Sequence, residues 1–286
     1  MANPTIPTKK AWGLIFLSVA LINGTALLGL SYYRYSQVQQ RTDSAYHIVA
    51  LVQTTAQRDL LKAGHLAELL GLSVDEPTNL FSFNSNEAEE KLKSTVAIKE
   101  AKVKKIRPGT IHVDLELREP VALIGNFANT AFDATGTLFP LKPYFTPKKI
   151  PVVYFEEAQL PSSSRPPWGS SLMGKNSELA YLLLTNIPRI LGDATHLISV
   201  DLSKAAAPVL GQRQIIVILE EGEEKIVEQN PEFWKNKRIL RLTPENWEHQ
   251  LHNYVRLRTY HPKALFQEDR SRFRVVDLRL NNLAFI

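Results

Sequence analysis

The sequence predicts a protein of the α+β class with a single N-terminal transmembrane helix, a small mixed domain of β-α-α-β-β order, and a β-rich domain with flanking helices. Three observations predict it: an uncharged apolar run near the N-terminus, strand and helix patterns in that order directly after it, and short strand patterns interrupted by helical ones in the remainder. A chain of 286 residues is long enough for two small domains besides an anchor.

The apolar run Trp12–Tyr33 carries no charged residue, and a helix needs about 20 such residues to cross a bilayer. Trp12 lies at one end and a cluster of tyrosines at the other, as is typical of aromatic rings at the two headgroup levels. A cleaved signal peptide would have a shorter apolar core followed by small residues, and a helix of a soluble core is the other alternative. We predict an uncleaved anchor. The predicted organisation is a short cytoplasmic tail (1–11), the transmembrane helix (12–33) and a polar juxtamembrane linker (34–45).

The charges that flank the apolar run do not decide the orientation of the helix, whereas the composition excludes some kinds of site. Lys9 and Lys10 favour a cytoplasmic N-terminus, but Arg34 and Arg41 on the other flank nearly balance them. The absence of cysteine excludes disulfides, a thiolate nucleophile and cysteine-ligated metals. A net charge of +5 is slight for this length, so we expect no nucleic-acid partner.

The first domain is predicted over residues 46–119. It opens with the β-branched run His47–Val52, which suits a strand. Leucines then recur at helical spacing from Leu66 onward. A second helix is predicted after Asn86, because glutamates come early in it and lysines late, an order that complements the helix dipole.

Two strands joined by a turn complete this domain. In the turn Arg107–Thr110, Pro108 presets φ and Gly109 permits a positive φ. The segment after it, Ile111–Arg118, alternates apolar and polar residues and is the clearest half-buried strand in the chain. A small sheet with helices on one face is the compact solution for this order of elements.

The second domain is predicted over residues 120–286 and is β-rich. An Asp-to-Gly turn within Phe132–Phe139 predicts a hairpin, and the proline-dense stretch 140–167 predicts a loop. The remaining predicted elements are a helix from Ser177 through Ile190, strands over 197–202 and 214–219, a helix opened by Thr243-Pro244-Glu245, and a final strand around Val276–Leu280.

Candidate chemistry is sparse. His249 and His252 are three apart on a predicted helix and could face one ion, but no third ligand is evident, so two surface histidines is the favoured interpretation. Four glutamates flank Gly222, which favours a hairpin turn with solvated carboxylates over a cation site. No nucleophile, acid–base pair or phosphate-binding loop stands out. We therefore expect no catalytic residue, no metal and no cofactor.

Five short motifs in the chain carry a family resemblance. They are Asn79-Leu80-Phe81, Ala101-Lys102-Val103, Arg107-Pro108-Gly109-Thr110-Ile111, Arg118-Glu119-Pro120-Val121-Ala122 and the closing strand Val275-Val276-Asp277-Leu278-Arg279. With the first four of these motifs, the stretch Tyr46–Ala122 resembles a POTRA domain, in particular that of the FtsQ/DivIB family of bacterial cell-division proteins. Arg118 and Glu119 appear here in the opposite order to the family's usual exit, and the turn contains an additional glycine. Short tail, single anchor, POTRA domain and β domain occur in the family's order.

The resemblance implies a non-enzymatic scaffold of the division machinery in the bacterial cytoplasmic (inner) membrane, with a cytoplasmic N-terminus and an extracytoplasmic body. It implies that the protein recruits or links septal wall-synthesis proteins. Upstream membrane division proteins would bind the POTRA domain, and small coiled-coil division proteins would bind the C-terminal strand. The alternative is a membrane-anchored envelope enzyme such as a wall hydrolase, which would need a positioned nucleophile, acid–base pair or metal.

The family's partner-binding segment directly follows its Val–Asp–Leu–Arg strand. Family members have an aromatic residue and a glycine where this chain has Leu280 and Leu283. We expect pairing through the backbone, because an edge strand offers unpaired N–H and C=O groups to an incoming strand. The corresponding residues here are Leu280, Asn281, Asn282, Leu283, Ala284, Phe285 and Ile286.

Overall fold

The computed structural model describes residues 8–55, 61–145, 149–157, 160, 167–172, 174–227, 230–265, 273–280 and 283–286. They divide into two units, the N-terminal helix with the small domain, and the larger β-rich domain. Each unit contains helices and one sheet, of three strands in the first and eight in the second. The predicted α+β class is confirmed.

The N-terminal helix α1 (Thr8–Thr42) contains the predicted transmembrane segment. Among the described residues it is the one helix long and apolar enough to cross a bilayer, over Ile15–Thr42, and none of its apolar stretch is buried against protein. An apolar helix without protein around it is stable in lipid rather than in water, so α1 fits a single-pass membrane anchor. The helix also includes most of the predicted linker. It carries Arg41 in its last turn, where a cation complements the helix dipole.

The small domain has the predicted order of strand, helix, helix, strand and strand. Every second residue of its last strand, from Ile111 to Leu117, is at most 2% exposed, so the alternation in the sequence marks a buried face as expected. Leu66 and Leu92, one from each helix, are also fully buried. The elements are β1 (Ala50–Thr55), α2 (Ala63–Leu70), α3 (Ser85–Ser94), β2 (Ile98–Ile106) and β3 (Thr110–Leu117). The central strand is β3, which pairs with β1 in parallel and has β2 on its other side.

The first strand begins three residues later than predicted. His47 and Ile48 precede β1 and are held by another segment: Ile48 N–H donates to the carbonyl of Thr78 (2.9 Å), and Leu80 N–H donates to the carbonyl of Tyr46 (2.8 Å). The β-branched run therefore serves two purposes, since its start ties the end of α1 to the domain and its end enters the sheet.

The β-rich domain is built on one sheet in the order β11-β10-β9-β8-β7-β4-β5-β6. Neighbours pair antiparallel except for β10 with β11, β7 with β8 and β4 with β7, which are parallel. The strands are β4 (Ala122–Ile124), β5 (Thr130–Phe132), β6 (Leu138–Pro140), β7 (Val152–Tyr154), β8 (Thr195–Asp201), β9 (Ile215–Val227), β10 (Asn230–Leu242) and β11 (Arg274–Asp277). The helices are α4 (Lys175–Leu191), α5 (Trp247–Tyr260) and α6 (Pro262–Leu265).

Both long helices of this domain contribute to its core. Leu183 and Ile187 of α4 and Leu251 and Tyr254 of α5 are fully buried, in one cluster with apolar residues of the sheet. Burying a side chain of this size stabilises a fold by about 1.5–3 kcal/mol. These residues recur at helical spacing in the sequence, which explains why both helices were predictable.

Three predictions for this domain need correction. The proline-dense stretch 140–167 contains a short strand, β7, although no strand pattern marks it. The helix predicted from Thr243 begins at Trp247, because Thr243 instead exchanges hydrogen bonds with the Gln250 side chain (2.8 and 2.9 Å). The turn predicted at Gly222 is wrong, since Gly222 lies within β9 opposite Lys235 of β10. The connection between those two strands lies at residues 228–229, outside the described residues.

Candidate partner-binding edge

The outermost strand of the eight-stranded sheet is β11, and the chain turns back beside it. β11 pairs on its inner side with β10, from Arg274 opposite Arg238 to Asp277 opposite Arg241. On its outer side Asp277 N–H donates to the carbonyl of Phe285 (2.9 Å), and Phe285 N–H donates to the carbonyl of Asp277 (3.0 Å). The last residues of the chain therefore form a short antiparallel segment at the edge of the sheet.

Five of the seven predicted partner-binding residues lie in this segment and its turn. Leu280, Leu283, Phe285 and Ile286 are large and between 45% and 57% exposed, and Ala284 is exposed. Asn281 and Asn282 lie outside the described residues. Exposed apolar side chains beside a sheet edge are typical of a surface that binds a partner.

The outward backbone groups of the segment follow from the pairing of Phe285. Successive residues of an extended chain point their N–H and C=O groups to opposite sides. Because those of Phe285 point inward to Asp277, those of Ala284 and Ile286 point outward. No backbone hydrogen bond within the described part of the chain involves Ala284 or Ile286.

The other end of the same sheet is covered. Leu138 N–H of β6 donates to the carbonyl of Ser170 (2.9 Å), and Gly169 N–H donates to the carbonyl of Leu138 (2.8 Å). The outer strand β2 of the small domain is protected differently, since Val103 N–H donates to the Glu89 carboxylate (2.8 Å). Both devices satisfy backbone groups that would otherwise be free to pair with a foreign strand.

Charged side chains surround the open edge. The Asp277 carboxylate accepts hydrogen bonds from Arg279 (Nε to Oδ1 3.0 Å, Nη2 to Oδ2 2.8 Å), and Arg241 Nη1 lies 3.3 Å from Oδ2. Burial raises the pKa of Asp277, but the hydrogen bonds from Arg279 and the charges of both arginines outweigh it and hold the pKa below its usual value. Among the described side chains around Asp277, two guanidinium groups face one ionised carboxylate, which gives this group an excess of positive charge.

A buried ionic cluster, which the sequence analysis missed, fixes the long strands behind this edge. Glu221 of β9 accepts hydrogen bonds from Tyr254 Oη (2.8 Å) and Arg258 Nη1 (3.0 Å), and Arg238 Nε lies 3.7 Å from its Oε2. Arg238 also donates to the carbonyl of Leu265 (2.7 Å). Burial and the neighbouring carboxylate raise the pKa of Tyr254 far above its usual value, so its hydroxyl is a neutral donor. The cluster joins β9, β10, α5 and α6.

The signal for this cluster was present but ambiguous. Four glutamates around Gly222 suggested a solvated turn, yet Glu221 continues the alternation of Ile215, Val217 and Leu219, which are buried. The inward position of Glu221 follows from extending that alternation by one step. Sequence alone does not show that Tyr254 and Arg258 of a distant helix would meet it.

The residues considered for catalysis or metal binding are not assembled into a site. His249 and His252 are exposed, and His249 Nδ1 lies 3.3 Å from the amide nitrogen of Asn253. Within the described ranges no group of three or more possible metal ligands occurs. A cavity of about 550 Å³ is lined in part by Asp133, but that carboxylate is engaged by Arg118 (2.7 Å) and by the turn residues Thr135 and Thr137.

Comparison with known proteins identifies the small domain. A family model described as POTRA domain, FtsQ-type, matches residues 59–118, which include α2, α3, β2 and β3. No curated protein matches the chain. The β-rich remainder lies outside the matched residues, so the comparison does not assign it to a family. Residues 59–118 thus match the FtsQ-type POTRA domain, as the motifs around Pro108 predicted, and this match supports an FtsQ/DivIB-type protein.

Proposed function

We propose that this protein is a non-enzymatic scaffold of the bacterial cell-division machinery that recruits or links septal wall-synthesis proteins. The FtsQ-type POTRA domain carries the proposal, since it fits a cell-division scaffold. The arrangement of the described residues supports it, because one apolar helix fits a membrane anchor and the C-terminal segment lies at an outer edge of the larger sheet. An anchored wall hydrolase was the alternative, but no observation on the described residues favours it.

We expect the protein to be needed for septum formation. Cells depleted of it should elongate without dividing, and a fluorescent fusion should concentrate at the division site before constriction. The measurement is microscopy of cell length and fusion position during depletion, with re-expression of the untagged chain as the control. Normal division in depleted cells, or a fusion spread evenly over the membrane, would contradict the proposed role.

The proposed contact at the C-terminal edge is strand addition. A strand from a small coiled-coil division protein would pair with the outward groups of Ala284 and Ile286, and the exposed side chains of Leu283 and Phe285 would pack against its side chains. The excess positive charge around Asp277 favours an acidic partner segment. Upstream membrane division proteins are the proposed partners of the POTRA domain.

The proposed location is the bacterial cytoplasmic (inner) membrane, with the N-terminus inside and both domains outside. Because α1 leaves the apolar region near Tyr33, protease added to intact spheroplasts should degrade the chain beyond Arg34 and leave a small membrane-embedded fragment. Immunoblotting with tags at either end measures this. A cytoplasmic marker protein should stay intact as the control. Protection of the domains, or a mature N-terminus beyond Tyr33, would overturn the proposed topology.

A further inference from the structure

Hydrogen bonds hold one end of the POTRA domain near the end of the anchor helix. Val49 N–H donates to the carbonyl of Gly109 (2.8 Å) in the β2–β3 turn. A Cβ atom at Gly109 would collide with the backbone carbonyl of His47, so glycine is required for this close approach. Asn79 Nδ2 donates to the carbonyls of Gln40 (3.0 Å) and Asp43 (3.1 Å). The turn therefore lies beside the chain that leaves α1, and the loop that contains Asn79 is bonded to the end of α1 itself.

This end of the domain combines unpaired basic side chains with exposed apolar ones. Among the described residues, no carboxylate forms an ion pair with any of the four basic residues there, each of which is exposed. Val49 and Ile106 beside them are 84% and 48% exposed. We call this surface the turn patch: Arg41, Lys104, Lys105, Arg107, Val49 and Ile106.

The basic groups of the turn patch lie close enough to act on one another. Partial burial lowers the pKa of Lys105, and the positive charge of Arg41 lowers it further. The Arg107 guanidinium lies over the ring of Phe81, 5.2 Å from its centre, which fixes that charge at the turn. Like charges held together without a counterion favour an external anion.

Acidic residues at the same end offset part of this charge. The Asp43 side chain accepts a hydrogen bond from Ala45 N–H (2.9 Å). Asp75 and Glu76 belong to the loop that ends at Thr78, whose carbonyl accepts a hydrogen bond from Ile48 N–H. Among the described residues at this end, four basic side chains face three carboxylates, so the charge of the turn patch is reduced but not cancelled.

The turn patch lies within electrostatic reach of lipid headgroups. Tyr33 and Tyr35 mark the headgroup level, and Arg41 follows Tyr35 by six residues in the same helix. At about 1.5 Å per residue that separation is about 9 Å, similar to the Debye length of about 8–10 Å. Transmembrane helices tilt by about 20° on average, which shortens the distance on one side.

We propose that the turn patch binds anionic phospholipid headgroups beside the anchor, so that the POTRA domain docks onto the membrane with its turn side down. The basic groups supply the attraction, and Val49 and Ile106 insert at the headgroup boundary. This inference depends on α1 spanning a membrane and is independent of the role in division.

The test uses the full-length chain, whose lack of cysteine permits a single label. Val49→Cys, at a nearly fully exposed position, is labelled with an environment-sensitive fluorophore and reconstituted in nanodiscs. One set contains phosphatidylcholine alone and the other equal parts of phosphatidylcholine and phosphatidylglycerol. We expect a blue-shifted, brighter emission with phosphatidylglycerol, which is lost as salt approaches about 1 M because the Debye length falls to about 3 Å.

Charge-removal variants separate docking from general membrane effects. Lys104→Gln with Lys105→Gln should lower the ratio of docked to undocked protein by about 25-fold, at about fivefold for each basic side chain near an anionic surface. Lys91→Gln with Lys93→Gln, near the end of α3, removes the same charge and should leave the ratio unchanged. The proposal would be overturned if both double substitutions had the same effect, or if the emission did not depend on lipid composition. A response to inorganic phosphate in phosphatidylcholine discs would overturn it as well, by indicating a soluble anion.

Discussion

Replacing Glu221 by alanine is expected to destabilise the β domain by about 3–5 kcal/mol. The change leaves Arg238, which is only 4% exposed, and the half-buried Arg258 without a counterion, and it removes the acceptor of the Tyr254 hydroxyl. At about 2–4 °C per kcal/mol for a domain of this size class, the midpoint of thermal unfolding should fall by about 10 °C. Near-ultraviolet circular dichroism of the detergent-solubilised chain measures it.

Two further variants test whether the loss of stability comes from the buried cluster. One removes an exposed carboxylate, and the other replaces two of the buried charges together. Glu245→Ala removes an exposed partner of Arg213 (3.3 Å) and should cost less than about 1 kcal/mol. Glu221→Leu combined with Arg238→Met replaces two of the buried charges by apolar groups and should recover part of the loss. A midpoint for Glu221→Ala equal to that of Glu245→Ala would show that the cluster does not hold β9, β10 and α5 together.

The second large effect is expected at the C-terminal edge. Ala284→Pro removes an outward N–H and places a ring where a partner strand would pair, while the inward bonds of Phe285 remain possible. Partner capture should fall by a factor of about 10–100, since a lost ladder bond with steric conflict costs about 1.5–3 kcal/mol. Pull-down of the full-length protein from membranes, with quantification of the captured division proteins, measures this.

The control for the edge is Ala284→Gly, which keeps the N–H and should capture the partner as the unchanged chain does. Deleting residues 283–286 should weaken capture at least as much as the proline change, because it removes every outward group of the segment. Thermal melts of all three variants exclude global unfolding. If the deletion and the proline variant both capture the partner as well as the unchanged chain does, the interface lies elsewhere, most directly on the POTRA domain.

Local patterns predicted those parts of the fold that depend on local physics. The order of the POTRA elements follows from the alternation after Gly109 and from the charge order of α3, and each is a property of fewer than a dozen neighbouring residues. The short strand β7 was missed, since its three residues are too few to show a period. Its position follows from pairing with β4 and β8, which are distant in sequence.

The sequence predicted where the last strand and the segment after it lie, but not how the backbone of that segment is paired. The strand pattern at Val276 located β11 and the segment after it, but sequence did not show that Phe285 would fold back onto Asp277. Asn281-Asn282 are residue types that favour a turn, but the return itself depends on the two hydrogen bonds between Phe285 and Asp277. The pairing determines which backbone N–H and C=O groups face a partner. Those of Ala284 point outward and those of Leu283 do not, so a proline at position 284 is more informative than one at position 283.

The covered strand β6 has a consequence for assembly. A sheet with two free ends can add copies at both and grow without limit, as fibrils do. Here Gly169 and Ser170 close the β6 end, so the proposed strand addition through Ala284 and Ile286 would use only the opposite end of this sheet. One copy of the protein would then take up one partner strand, and the number of partner strands bound directly would follow the number of anchored copies.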